Sequence, residues 1–543
     1  MYTKCSGTVT KVILIKTKQA VQTNNLSNFY GDDFQVIGLP DKTTATERKE
    51  IIKDLEGTLP STCKCILCAD TEMFKTLTGV KKVSGYDGYP TNSPLGDVFI
   101  IPNYVSIFYN PEVQHRLDFI MDKVNSYIAG NKVEIGVGII ESHKFVTDPN
   151  EVTKALDELL AYDALTIDIE TAIKPENKDK VSKGALRHPF NYIVSIGFAW
   201  DKHNGTVILV NDNKDILKHL ARFFGFYLGK TIYHNSGFDI TQLIYHCFMK
   251  NLTDYEGMLR GLHTMCKNFE DTKHIAYLCL NSCGSPELGL KPLSHEYCGN
   301  YAQDEIADCS AIPVDQLMMY NLTDCCATWY VYDKYKPMLK TENQEEIYYD
   351  LFLSSQKVLI ETQLVGLRIN ISKTCQLYNK LEKSRLELYS KLENMPIVKR
   401  FTDTIRHRIV TEYNNTHKKQ INSYIELLKL AGYKSKLKYN PSSDTQTREL
   451  LYTVLQLPVI DMTNKGLPSV SAKTFKKLVH TTTNQEIIDL LNLLMEISSI
   501  DIIFTTFMPS FMEAPEVEPN KNGIYGSFNL GGTVSGRLSS SNP

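Results

Sequence analysis

Two carboxylates stand one residue apart in Ala164-Leu165-Thr166-Ile167-Asp168-Ile169-Glu170-Thr171, a run that otherwise reads as a buried β-strand. Alternate side chains of a strand share a face, so Asp168 and Glu170 point one way while Ile167 and Ile169 pack behind them. Two like charges on such a face are costly unless something cationic sits against them. A divalent metal held by hard oxygen ligands is the simplest candidate, and an edge strand with an acidic outer face is the plain alternative. Two more carboxylates have helical positions. Asp239 falls in the first turn after the apolar run that begins at Thr231, and Asp324 stands four residues after Tyr320, so those two side chains share a helical face.

The elements that must position these groups follow from the pattern around them. Pro149 to Leu160 is amphipathic at helical spacing and leads directly into the acidic strand. Tyr192 to Trp200 and Gly205 to Val210 read as two further strands, spaced like neighbours of the first in an antiparallel meander. Thr231-Ile232-Tyr233 reads as a short strand that turns at His234-Asn235-Ser236 into a helix, and Asp315 to Tyr335 reads as one long helix.

Asp168-x-Glu170, Asn235-x3-Asp239 and Tyr320-x3-Asp324, in that order, resemble the three motifs of the DEDD superfamily of 3′–5′ exonucleases, in the subclass with tyrosine in the third motif. Glu270-Asp271-Thr272, Leu288-Gly289-Leu290-Lys291-Pro292-Leu293 before Tyr297, and Ala327-Thr328 are similar to the surroundings of these motifs in proofreading domains. The resemblance implies a ribonuclease H-like α/β domain with a mixed sheet and hydrolysis of phosphodiesters by two Mg²⁺ or Mn²⁺ ions about 3.5–4 Å apart. It further implies Asp168 as bridging ligand, Glu170 and Asp324 completing one metal site, and Asp239 supporting the second. Tyr320 would orient the attacking water with Glu170, and Asn235 and Phe238 would position the 3′ end or pack the turn. Packing within the turn is an equal expectation for Phe238.

Beyond Glu342 the pattern is helical. Glu361-x4-Gly366-Leu367-Arg368-Ile369-Asn370 resembles the element that opens the polymerase domain of family A DNA polymerases. Tyr439-Asn440-Pro441-Ser442-Ser443, Leu450-Leu451, Leu457-Pro458-Val459 and Lys465-Gly466-Leu467-Pro468-Ser469 follow in the order of that family's thumb. The clearest match is Ser527-Phe528-Asn529 with Gly532-Thr533-Val534-Ser535-Gly536-Arg537-Leu538-Ser539-Ser540-Ser541-Asn542-Pro543. In the family this loop lies against primer-template, which implies a minor-groove contact for Arg537. Between Pro396 and Lys438, ten Lys or Arg face three acidic residues, a local excess of +7 in a chain of net charge −3. A solvated helical face is one reading of that excess. Phosphate binding by the thumb is the other, with Lys399, Arg400, Lys418, Lys419, Lys434, Lys436 and Lys438 as DNA-binding candidates. The family's catalytic aspartates and nucleotide-binding fingers would follow this loop, so the expectation is either a second polypeptide completing palm and fingers, as in a split, phage-like polymerase, or a chain that is a piece of a longer one. A processivity factor is a further possible partner.

Composition agrees with a multidomain α/β protein. With 543 residues, 42% hydrophobic and 22% charged, the chain should hold three to four domains at roughly 100–200 residues each. No run reaches the ~20 apolar residues of a membrane span, and the N-terminus reads as no signal peptide. Thirteen scattered cysteines read as free thiols of a reducing cytoplasm, that of the host cell for a phage protein. Cys63, Cys65 and Cys68 are close enough to suggest zinc but lack a fourth ligand and sit in a strand-like run.

Three domains are expected: 1–147, 148–345 (3′–5′ exonuclease) and 346–543 (thumb and the start of a palm). The first is α/β and resembles the second half of uracil-DNA glycosylase-like folds through Cys65 to Gly79, Ile100-Ile101-Pro102-Asn103-Tyr104 and Asn110-Pro111-Glu112. Tyr104-Val105-Ser106 stands where that family has a histidine segment, so glycosylase chemistry is not expected, and an ordinary unrelated α/β domain is the equal alternative. The combined expectation is a proofreading exonuclease and DNA-gripping part of a family A polymerase that contacts single-stranded 3′ ends and primer-template. The alternatives are a non-catalytic DNA-holding scaffold and a ribonuclease D-like RNA exonuclease.

Overall fold

The computed structural model describes residues 2–6, 8–111, 113–174, 190–280, 287–301, 309–417, 420–430, 432–433, 436–463, 466–514, 516–519 and 521–541. Two compact units result, Met1–Gly366 with Tyr525–Pro543, and Leu367–Ile524. The second begins at Leu367 instead of the expected 346. Helix Ser354–Val365 places Ile360 and Leu364 in the same apolar core as Ile240 and Leu243, which ties it to the first unit. The C-terminal residues from Tyr525 onward also fold with the first unit.

In the first unit, strands β1 (Tyr2–Ser6), β2 (Lys11–Lys16), β3 (Phe34–Leu39), β4 (Cys65–Cys68) and β5 (Val98–Ile100) form a sheet in the order β1-β3-β2-β4-β5. All pairs are parallel except β1 with β3. Helices cover both faces, so β2, β3, β4 and β5 are largely apolar, buried runs. Cys65 and Cys68 lie three apart on β4 and therefore enter the cores on opposite faces of the sheet, and burial pushes both thiols up to about 12. They cannot converge on one metal ion.

The second sheet joins β6 (Ser142–Val146), β7 (Ala164–Ile173), β8 (Asn191–Ala199), β9 (Asn204–Leu209), β10 (Lys230–Tyr233) and β11 (Phe269–Asp271) in the order β11-β10-β7-β8-β9-β6. β7, β8 and β9 are an antiparallel meander, while β10 pairs parallel to both β7 and β11. The edge strand β6 comes from before the expected boundary at 147 and pairs parallel with β9. One face of β7 sends Leu165, Ile167 and Ile169 into a core shared with helices Val152–Leu159 and Ser236–Phe248. The other face carries Thr166, Asp168 and Glu170 toward helix Val314–Thr341. Thr166 Oγ1 donates to the Cys325 carbonyl at 2.9 Å, fixing helix against strand. A register shift after Glu170 bulges the strand where the acidic face ends.

The second unit is mainly helical. Helices Ile371–Asn394, Pro396–Thr416 and Gln485–Ile502 enclose Leu392, Phe401, Leu450, Leu490 and Leu494. Strands β12 (Leu367–Ile369), β13 (Glu516–Glu518) and β14 (Lys521–Ile524) close it as a small antiparallel sheet. In the first unit, β15 (Ser527–Asn529) and β16 (Ser539–Ser541) pair as an antiparallel hairpin. Among the described residues no helix is long and apolar enough to cross a membrane.

Candidate active site

Carboxylate oxygens of Asp168, Glu170 and Asp324 lie within 4.8 Å of one another. Two strand positions and one helix position converge because helix Val314–Thr341 runs across the face of β7. That approach requires Gly197, which pairs with Asp168 on β8: a Cβ there would stand 2.7 Å from both Asn321 Oδ1 and Cys325 Sγ.

Asp239 reaches the same strand from behind. It is buried at 4% exposure, and its Oδ1 accepts the Ile169 N–H at 3.3 Å. Its helix starts at Asn235, whose φ of 71° is left-handed, a conformation asparagine tolerates better than most side chains. The buried carboxylate of Asp271 holds this turn. It accepts from Asn235 N at 3.2 Å and from Ser236 N and Oγ at 2.7 Å each, and also from the Lys273 amide at 2.9 Å. One carboxylate thus caps two helix starts. Phe238 packs partly buried against the core of the sheet, which is the packing expectation for that residue.

The electrostatics follow from crowding acids out of water. Burial, then Asp324, Asp239 and Glu170, hold the Asp168 carboxyl well above the ordinary range. Burial and Asp324 push Glu170 to about 7, against a lowering hydrogen bond donated by Cys309 Sγ to Glu170 Oε2 at 3.1 Å. Burial raises Asp239. Tyr320, raised to about 12 by burial and Asp324, is a neutral phenol at ordinary pH.

Three side chains without an assigned role in the sequence analysis complete the site. Lys291 donates to Asp324 Oδ1, with its Nζ 4.6 Å from the ring centre of Tyr320 and 4.8 Å from that of Tyr301. Burial opposes its charge, but Asp324 and Tyr320 more than offset this and keep it protonated. The Tyr301 hydroxyl also donates to Asp324 Oδ1. Asn321, fully buried, donates from Nδ2 to Asp168 Oδ2 at 2.6 Å. Lys291 lies inside Leu288-Gly289-Leu290-Lys291-Pro292-Leu293. Asn321 and Tyr301 carry no spacing signal, because their partners are distant in sequence.

The donor set suits a hard divalent cation: three convergent carboxylates, with two of them raised by mutual repulsion and burial. In the free protein the Lys291 ammonium supplies part of the positive charge that the cluster demands.

The remaining candidates are distributed between units. Arg537 is exposed on the hairpin loop, where its carbonyl accepts from Thr533 Oγ1 at 2.9 Å. Lys399, Arg400, Lys436 and Lys438 are exposed in the second unit. There Lys438 pairs with Glu393 at 2.8 Å and Arg400 with Glu486 at 3.6 Å. Lys418, Lys419 and Lys434 lie outside the described residues.

Comparison with known proteins places part of the chain. Residues 407–543 match the family model described as DNA polymerase family A. A DNA polymerase of Bacillus phage SP01 is 24% identical over 424 residues, 71% of this chain and 43% of the relative. A solved structure, the POL domain of Pol1 from M. smegmatis in complex with DNA primer-template and dNTP, aligns at TM-score 0.47 and 16% identity, covering 74% of this chain and 55% of that one. The chain spans less than half the length of the phage relative. Residues 407–543 are thus similar to the family A DNA polymerase model, and the chain is similar over 424 residues to a phage DNA polymerase.

Proposed function

We propose that the chain is the 3′–5′ exonuclease and DNA-gripping portion of a family A DNA polymerase, removing nucleotides from single-stranded 3′ ends. The observation that carries this reading is the convergence of Asp168, Glu170 and Asp324 to within 4.8 Å, with Tyr320 one helical turn before Asp324. The relationship to DNA polymerases supports DNA as the polymer bound.

Asp168, Glu170 and Asp324 would hold Mg²⁺ or Mn²⁺, with Asp239 as support for a second ion. Divalent ions bound there would supply activation of a water and neutralisation of charge at the leaving oxygen. The chain's own groups do the rest. The protonated Tyr320 hydroxyl offers a hydrogen bond to a water, and Glu170, poised near neutrality, offers an acceptor for its proton. Asn321 keeps Asp168 in one rotamer, and Asp271 keeps the turn that presents Asp239. Lys291 sets a fixed positive charge beside the developing negative charge of the phosphate. The exposed lysines and arginines of the second unit would grip duplex phosphates.

The test is degradation of a 3′-labelled single-stranded DNA oligonucleotide with Mg²⁺ or Mn²⁺. The wild-type chain should shorten it and Asp168→Ala should not. Undiminished shortening by the pure variant would sink the assignment, and preference for an RNA oligonucleotide would turn it toward RNA processing.

A further inference from the structure

Beside the carboxylates, the first unit contains a cleft of about 600 Å³ that they do not line. One wall is His234, Asn235, Lys273, Tyr277 and Leu288–Leu290, and the other is Asn529 and Gly531–Val534 of the C-terminal hairpin. The hairpin is firmly seated on the nuclease module. The Phe528 amide donates to Gln363 Oε1 at 2.7 Å, the Tyr277 hydroxyl donates to the Thr533 carbonyl at 2.9 Å, and Leu530 packs into the core that contains Ile275. Gly531 lies directly on the Tyr277 ring, where a Cβ would come to 3.0 Å, and its φ of 72° favours glycine independently.

The chemistry of the cleft is that of an anion site with room for a chain. The Lys273 ammonium spans it, donating to Asn235 Oδ1 at 3.1 Å and to Asn529 Oδ1 at 3.2 Å. Both acceptors are neutral amides, and among the described residues no carboxylate pairs with this amine. Gly532 lets the hairpin close on itself, since a Cβ there would run into Asn529 Nδ2 and stand 2.7 Å from Ser539 Oγ. Two chain segments run from the cleft straight into the catalytic carboxylates. Leu290 lines it and Lys291, the next residue, binds Asp324; Asn235 lines it and Asp239 follows one helical turn later.

We propose that this cleft is the track for the single strand entering the nuclease, with Lys273 contacting a phosphate just upstream of the 3′-terminal nucleotide and the hairpin Ser527–Ser541 forming its second wall. The inference rests on the exonuclease reading above. It gives the hairpin, related by family to a primer-template loop, a place in the nuclease as well. The bridge from Asn235 to Asn529 through Lys273 would be exchanged for a phosphate when a strand enters.

Two measurements on the full chain test it. In an Asp168→Ala background, p-benzoylphenylalanine placed at the exposed Val534 should crosslink a 5′-labelled single strand at nucleotides next to its 3′ terminus. Separately, Lys273→Gln should raise KM for a single-stranded oligonucleotide about tenfold with kcat nearly kept, and should lower the salt slope of binding by about 0.7, the value of one phosphate contact on a single strand. Lys273→Arg should restore both, and the salt slope is the readout that a lysine merely bridging two amides would not move. If wild type degrades the strand and Asp168→Ala does not, yet crosslinks are absent and Lys273→Gln leaves KM and slope unchanged, the cleft inference alone falls. If wild type degrades nothing, the nuclease reading falls and this one with it.

Discussion

Asn321 donates from Nδ2 to Asp168 Oδ2 at 2.6 Å, while its own Oδ1, equally buried, has no hydrogen-bond partner among the described residues. A buried amide left half-satisfied is costly, so its retention points to the work done by the other half, the orientation of Asp168. Asn321→Ala should therefore lower kcat about 10- to 100-fold, the range typical of groups that orient a metal ligand. Asn321→Asp should do worse, because it adds a fifth carboxylate to the cluster. Single-turnover degradation of a 3′-labelled strand measures both.

Divalent ions should stabilise the fold, and more so at high pH. Asp168, Asp239 and Glu170 are raised in the native state, Glu170 from 4.5 to about 7, by burial and neighbouring acids. The native protein then binds more protons than the unfolded chain, so without metal its stability falls as pH rises from about 4.5 through about 7. An ion among the carboxylates removes that penalty. The gain in Tm on adding Mg²⁺ or Mn²⁺ should be larger at about pH 8 than at about pH 5. An equal gain at both would argue against an ion held by these groups.

Gly197→Ala should separate helix Val314–Thr341 from β8. The added methyl would meet Asn321 Oδ1 and Cys325 Sγ at 2.7 Å, and neither is a flexible chain end. A loss of about 1–3 kcal/mol in urea unfolding is expected. Nuclease activity should fall by more than the stability loss explains, since the displaced helix carries both Tyr320 and Asp324.

Asp271→Ala should unseat the Asp239 turn. Burial opposes ionisation of Asp271, but His274, Ser236 and His234 more than offset it and hold the carboxyl below its ordinary range. Its stabilising effect is present above the unfolded carboxylate pKa and is lost as pH falls through the lower native value. Removing it strands the amides of Ser236 and Lys273 and should cost about 3 kcal/mol at neutral pH. A variant as stable as wild type across the acid limb of a pH titration would refute this role.

The carboxylates were legible in the sequence because each sits at a local signal: an Asp-x-Glu alternation in an apolar strand, an acid in a helix's first turn, and a tyrosine and aspartate four apart. The meander, the turn at Asn235 and the long helix were legible for the same reason, since periods of two and 3.6 residues are properties of neighbours in the chain. Helix Ser354–Val365 and strand β6 crossed the expected boundaries because membership of a unit depends on which core a side chain enters. That is settled by packing, and Ile360, Leu364 and Val146 fit the core around β7. Lys291, Asn321 and Tyr301 emerged only in three dimensions. Asn321 lies 153 residues from Asp168, and Lys291 and Tyr301 lie 33 and 23 residues from Asp324. The hairpin's seat on the first unit spans 256 residues, from Lys273 to Asn529. A hydrogen bond over such a separation leaves no periodicity in the chain. The sequence by itself determined which acids the protein brings to its site. The tertiary structure alone decided which cation, amide and hydroxyl meet them there, because only folding sets distances between residues so far apart along the chain.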